Sequence, residues 1–78
     1  MTATIPGRVN LDSSTLAAAT YDNTRAELEL DFRDGTRYTY SEVAPEIFDG
    51  LLRAGSKGWY FNRYIRSHFP YVKIRGEN

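Results

Sequence analysis

Ala26-Glu27-Leu28-Glu29-Leu30-Asp31-Phe32-Arg33-Asp34-Gly35-Thr36-Arg37-Tyr38-Thr39-Tyr40 is the stretch whose register decides how this chain folds. Ala26, Leu28, Leu30 and Phe32 alternate with Glu27, Glu29, Asp31 and Arg33, the period of a strand with one buried and one wet face. Arg33-Asp34-Gly35 then turns the chain into Thr36-Arg37-Tyr38-Thr39-Tyr40, whose tyrosines alternate as well. A two-residue Asp34-Gly35 loop would oppose Asp31 to Tyr38 and Glu29 to Tyr40, putting both rings on the wet face. A three-residue loop with Gly35 left-handed opposes Leu30 to Tyr38 and Leu28 to Tyr40. One residue of register thus carries both tyrosines from one face of the sheet to the other. The three-residue loop is favoured because it gathers the apolar groups on one face. The other register would build an exposed aromatic platform of the kind on which RNA-binding sheets stack bases.

Upstream, Leu16-Ala17-Ala18-Ala19-Thr20-Tyr21 lies between Ser13-Ser14 and Asp22-Asn23-Thr24. Alanine favours helix, but the run is short and bounded by turn residues, so it is expected as a strand. Residues 1–12 have no periodicity and contain the breaker pair Pro6-Gly7, which predicts a flexible N-terminal arm.

Downstream, Pro45 suits a first helical position, where its missing N–H has no helical partner to lose. Ile47, Phe48, Leu51 and Leu52 form an apolar stripe, with Glu46 and Asp49 outside it near the positive end of the helix. Gly50 inside that helix costs about 1 kcal/mol against alanine, so it marks either a close packing contact or indifference. Gly55 is expected as a left-handed residue that ends the helix, and Ser56 as the cap of the next. From Gly58 to Phe69 the pattern is again helical: Phe61, Ile65 and Phe69 form an inner stripe flanked by Tyr64, and Trp59, Asn62, Arg63 and Arg66 fall opposite. Pro70 stops the helix. Tyr71-Val72-Lys73-Ile74 alternates as a last strand able to pair with either sheet edge, and residues 76–78 form a tail. The expected architecture is α+β, a small single domain over residues 13–75 with antiparallel β-β-β-α-α-β order and two helices packed on one face of the sheet.

Seventy-eight residues without cysteine must hold together on one small core, to which eleven aromatic side chains contribute. The missing cysteines exclude disulfides, thiol nucleophiles and thiolate metal sites, and suit a reducing compartment. No apolar run approaches a signal or membrane-spanning segment, so a soluble cytoplasmic protein is expected. Net charge is zero, but its distribution is uneven. Asp12 to Asp49 carries nine acids and three bases, whereas Arg53 to Arg75 carries six bases and no acid. Either the halves neutralise each other in the fold or the second half presents a basic face to an anionic partner.

Ser56-Lys57-Gly58-Trp59-Tyr60-Phe61-Asn62 resembles the S-K-G-x-Y-F-N run of the KTSC family, a small domain named for its place at the C-terminus of some lysyl-tRNA synthetases. Ser13-Ser14, Leu16, Tyr21 and Asp22 match the family's opening pattern, and Tyr38-Thr39-Tyr40 matches its central Y-x-Y. Ile65-Arg66-Ser67-His68-Phe69-Pro70-Tyr71 matches its closing tract with Phe69 for tyrosine. Ala44 replaces the first proline of the family's V-P-P-E run, and Trp59 falls at a variable position. The resemblance spans roughly Ser13 to Ile74. It implies RNA binding, the role proposed for the family.

The residues themselves offer several sites. Ser56, Lys57 and Gly58 at a helix start can gather a hydroxyl, an ammonium and free backbone N–H groups around a phosphate; alternatively they form a plain helix connection. Arg63 and Arg66, with Arg53 and Asn62 nearby, can hold backbone phosphates while Trp59 stacks on a base. Tyr38 and Tyr40 would stack bases in the exposed register. No activating context surrounds the serines or His68, the single histidine, and Glu27, Glu29 and Asp31 lack histidine or cysteine companions for a metal. The chain is therefore expected to be a non-enzymatic binding module with neither metal nor cofactor, taking RNA through a basic, aromatic helix. The alternative is an oligomeric module for small nucleotides or protein contacts, with a pocket between identical copies.

Overall fold

The computed structural model describes residues 8–74. Five strands lie side by side in sequence order, each antiparallel to the next: β1 Arg8–Asn10, β2 Leu16–Asp22, β3 Glu27–Phe32, β4 Arg37–Tyr40 and β5 Tyr71–Ile74. Between β4 and β5 come α1, Pro45–Arg53, and α2, Lys57–Tyr60, which continues into a π-helical turn over Phe61–Ile65. The helical residues Leu51, Phe61 and Ile65 join Leu16, Ala19, Leu28, Leu30 and Tyr40 from the sheet in one core.

The hairpin adopts the three-residue loop. Leu28 opposes Tyr40 and Leu30 opposes Tyr38. Gly35 has φ 95°, a conformation open to glycine without strain, and its N–H donates to the Phe32 carbonyl at 3.0 Å. Asp34 Oδ1 accepts from the Thr36 N–H at 3.0 Å and holds the turn. The charged face carries a network in which Arg37 bonds Glu29 (2.9 Å) and Asp31, while Arg8 reaches Asp31 at 2.7 Å.

β2 is a strand despite its alanines, and a bulge explains why its pattern is not a clean alternation. Register shifts between Leu16 and Ala18, so Leu16 opposes Phe32 while Ala19 and Tyr21 oppose Leu30 and Leu28. The extra residue brings even-numbered Leu16 and odd-numbered Ala19 and Tyr21 to the same face.

Four expectations need correction. Residues 8–12 are not a loose arm: Arg8–Asn10 pairs with β2, and Leu11 is buried. Three residues are too short for periodicity to register, and residues 1–7 lie outside the described residues, as do residues 75–78, with Arg75 and the expected tail. Ala26 is not part of the alternating strand but a turn residue with φ 56°, its carbonyl accepting from the Val43 N–H at 2.8 Å. Gly55 is not left-handed; Ala54 leaves α1 extended, and Lys57 Nζ caps its end by donating to the Ala54 carbonyl at 2.8 Å. The second helix stops at Ile65, not Phe69. The Arg66 N–H closes a wide turn onto the Phe61 carbonyl at 2.8 Å, and Ser67 then breaks the helix with φ 69°. Phe69 still packs against the core, but from the following loop.

Candidate nucleic-acid interface

The sheet's inner face is wider than the helices laid on it. Phe61 meets Phe32 of β3 and Tyr40 at the end of β4 edge-on, whereas all four residues of β5 are exposed. A cleft of about 530 Å³ remains there, floored by Phe32, Tyr38, Tyr40, Phe61 and Tyr71 and edged by Asn62, Arg66, Ser67 and Lys73. The register that turns the tyrosines inward therefore also lines a cleft with them. Tyr40 is 2% exposed, whereas Tyr71, directly opposite it on β5, is 54% exposed. The Tyr38 and Tyr40 rings stack with centroids 5.9 Å apart, and Tyr71 tilts against both. Lys73, opposite Tyr38, holds its ammonium 5.8 Å from that ring's centroid.

Burial, helped by the neighbouring Tyr38 and Tyr71 phenols and opposed by the Arg66 guanidinium, pushes the Tyr40 hydroxyl up to about 12. It is a neutral donor at physiological pH. Arg66 stands at the helix end with ψ 127°, and its Nη1 donates to Asn62 Oδ1 at 3.3 Å.

A second cleft, about 450 Å³, lies beside the start of α2 and is lined by Ser13, Ser14, Thr15, Ser56, Lys57, Gly58, Trp59 and Asn62 together with Asp12. Its expected phosphate ligands are already engaged within the chain. Ser56 Oγ accepts from the Trp59 N–H at 3.3 Å, and Lys57 holds the end of α1. Gly58 has a packing reason, since a Cβ there would sit 3.3 Å from Thr15 Oγ1.

The expected residues thus fall into three groups. Ser56, Lys57, Trp59 and Asn62 share the second cleft; Asn62 and Arg66 meet Tyr38 and Tyr40 in the first; Arg53 and Arg63 line neither. Arg53 pairs with Asp49 at 2.9 Å one turn earlier on α1. Arg63 lies 5.5 Å from the centroid of Tyr64, an exposed ring that also meets Trp59 edge-on. Lys73 and Tyr71 belong to the first cleft and were not singled out in the sequence. The alternation of β5 carried the signal, but their role depended on which edge β5 joins.

Part of the charge on this side joins no ion pair. Among the described residues, the ion pairs engage Arg8, Arg25, Arg37 and Arg53; Lys57, Arg63, Arg66 and Lys73 take part in none. No group of histidine, cysteine or acidic side chains among the described residues could hold a metal. No described helix is long and apolar enough to cross a membrane.

Relatives share this frame. A protein of Stutzerimonas stutzeri is 40% identical over 68 residues, covering 86% of this chain and 96% of its own. A Tsukamurella paurometabola protein is 41% identical over 64 residues, covering 82% of this chain and 96% of its own. A lysine–tRNA ligase of Nostoc punctiforme is 29% identical over 63 residues, 81% of this chain but 11% of the enzyme. The crystal structure of a KTSC domain protein from Yersinia pestis superposes with a TM-score of 0.83 at 31% identity, covering 86% of this chain and 94% of that one. The KTSC domain profile matches residues 12–69, and with these relatives it makes the chain a member of the KTSC domain family.

Proposed function

We propose that this domain is a non-enzymatic module that binds single-stranded RNA, the strand running along the exposed side of α2 and the π-helical turn into the cleft between that turn and β5. The observation that carries this reading is a set of cations that join no ion pair among the described residues: Arg63, Arg66 and Lys73 flank exposed Trp59 and Tyr64 at one end and the tyrosine cleft at the other. Cations that follow a backbone, interleaved with rings on which bases stack, are what sequence-tolerant single-strand binding requires. Related lysine–tRNA ligases, enzymes named for joining lysine to tRNA, carry a similar region over 10–11% of their length, which associates this domain with an RNA substrate.

The sole tryptophan supplies the test. Trp59 is 58% exposed on the proposed path, so titration with single-stranded RNA oligomers at low salt is expected to change its fluorescence. Trp59→Ala should weaken binding, measured by calorimetry, by about 1 to 3 kcal/mol. Absence of binding to any oligomer at low salt would refute the proposal.

A further inference from the structure

One hydroxyl of the tyrosine cleft makes no hydrogen bond among the described residues. The Tyr21 and Tyr60 hydroxyls donate to the Val43 and Ile47 carbonyls, but the Tyr40 hydroxyl has no hydrogen-bond partner among the described residues, although its residue is 2% exposed. No sealed side-chain oxygen or nitrogen among the described residues lacks a partner, so that hydroxyl is not enclosed in the core; it opens into the cleft that Tyr40 lines. A phenol on a largely buried residue that lacks a protein partner leaves a hydrogen bond for water or a ligand to supply.

Around it stand Arg66 and Lys73, two cations against the single carboxylate of Asp34. Asp34 is engaged in the turn, its Oδ1 accepting from the Thr36 N–H at 3.0 Å and the Thr36 Oγ1 at 2.8 Å, and the Lys73 ammonium also helps to lower its carboxyl. The backbone fixes Arg66 there. The wide turn closed by its own N–H and the left-handed Ser67 after it end the helix where the side chain meets the cleft. A strained non-glycine residue beside a π-helical turn is a recurrent mark of a functional site.

We propose that this cleft binds a terminal phosphate monoester beside Tyr40, the Tyr40 hydroxyl donating to one phosphoryl oxygen and the Arg66 guanidinium to others, with the Lys73 ammonium above them. A monoester presents three unesterified oxygens, enough to meet a hydroxyl and two cations at once. An internal phosphodiester is tethered on both sides and meets the rim. The source of the phosphate rests on the RNA reading, with the cleft holding the phosphorylated end of a strand; the chemistry of the site does not.

Three otherwise identical single-stranded RNA octamers, bearing a 5′-phosphate, a 3′-phosphate or neither, separate the possibilities when titrated against the full chain by calorimetry. One phosphorylated form is expected to bind about tenfold more tightly than the unphosphorylated strand, the value of one hydrogen bond to a charged group. Tyr40→Phe should abolish that preference without lowering the thermal midpoint, since it removes a hydroxyl with no protein partner, and Arg66→Gln should also abolish it. Equal binding of all three octamers, or a preference that survives Tyr40→Phe, overturns the phosphate site and leaves the RNA reading standing. If no octamer binds, the RNA reading fails, and adenosine monophosphate and inorganic phosphate decide the site. Shifts of the Tyr40 ring resonances on adding either, absent in Arg66→Gln, would support it; no shift at millimolar concentration would overturn it.

Discussion

The Tyr60 hydroxyl stands against Gly50 and donates to the Ile47 carbonyl at 3.1 Å, locking α2 onto α1. A methyl group on Gly50 would collide with that hydroxyl and come within 2.8 Å of the ring's Cζ. The glycine in mid-helix is there for contact, the first of the two explanations its position allowed.

Gly50→Ala is therefore expected to destabilise the domain although alanine is the better helix former. Overpacking costs about 1 to 3 kcal/mol, against about 1 kcal/mol gained in propensity, for a net loss of about 1 kcal/mol. In a Tyr60→Leu background the same change should become neutral or stabilising. Urea denaturation of the four proteins in this cycle checks it.

Ala26, with φ 56°, bears a strain that glycine would not. The left-handed region costs an L-residue about 1 to 2 kcal/mol, and glycine's larger unfolded-state entropy returns about 0.4 to 1. Ala26→Gly should raise stability by about 0.5 to 1 kcal/mol, measurable as a higher urea midpoint at unchanged slope. A lower midpoint would mean that the turn is not strained.

Asp31 makes stability depend on pH. Burial by itself would raise its carboxyl, but hydrogen bonds from Arg37 and Arg8 outweigh burial and hold it below the ordinary carboxylate value. A depressed folded value means that its contribution is complete above the unfolded pKa of about 3.9 and is lost as pH falls through the folded one. Asp31→Asn should therefore lose less stability than the wild type between pH 5 and pH 2.5, and be the less stable of the two at pH 7. Parallel melts across that range test both signs.

Electrolyte dependence tests the cationic path. Counterion release from a single strand gives a log–log slope of about −0.7 per neutralised phosphate, so contacts by Arg63, Arg66 and Lys73 predict about −2. Arg63→Gln combined with Arg66→Gln should leave about −0.7. An unchanged slope would place the strand elsewhere on the surface.

Particular residues show how far the sequence could be read. Leu28, Leu30 and Gly35 fixed the hairpin, because alternation beside a single glycine turn leaves one register that buries every apolar group. Ser56 and Pro45 marked the helix starts, since caps act through neighbours in the chain. The end of the second helix was illegible because Phe61, Ile65 and Phe69 keep helical spacing past the point where Ser67 turns left-handed, and nothing local in serine announces that. The cleft was illegible for a related reason. Whether Tyr38 and Tyr40 are core or exposed platform hung on a choice of face, whereas in the fold Tyr40 is buried, Tyr38 is half-buried, and both line a cleft.

The strand order carries a kinetic consequence. β1 to β4 join only neighbours through short turns, whereas the β4–β5 pairing must wait until the roughly thirty residues of both helices have been looped back, the largest closure entropy in the chain. On closure entropy alone, that seam is expected to form last and to open first. Because the tyrosine cleft straddles it, with Tyr38 and Tyr40 on one side and Tyr71 and Lys73 on the other, a ligand seated there clasps together the two segments that the chain brings together latest, and slows their parting.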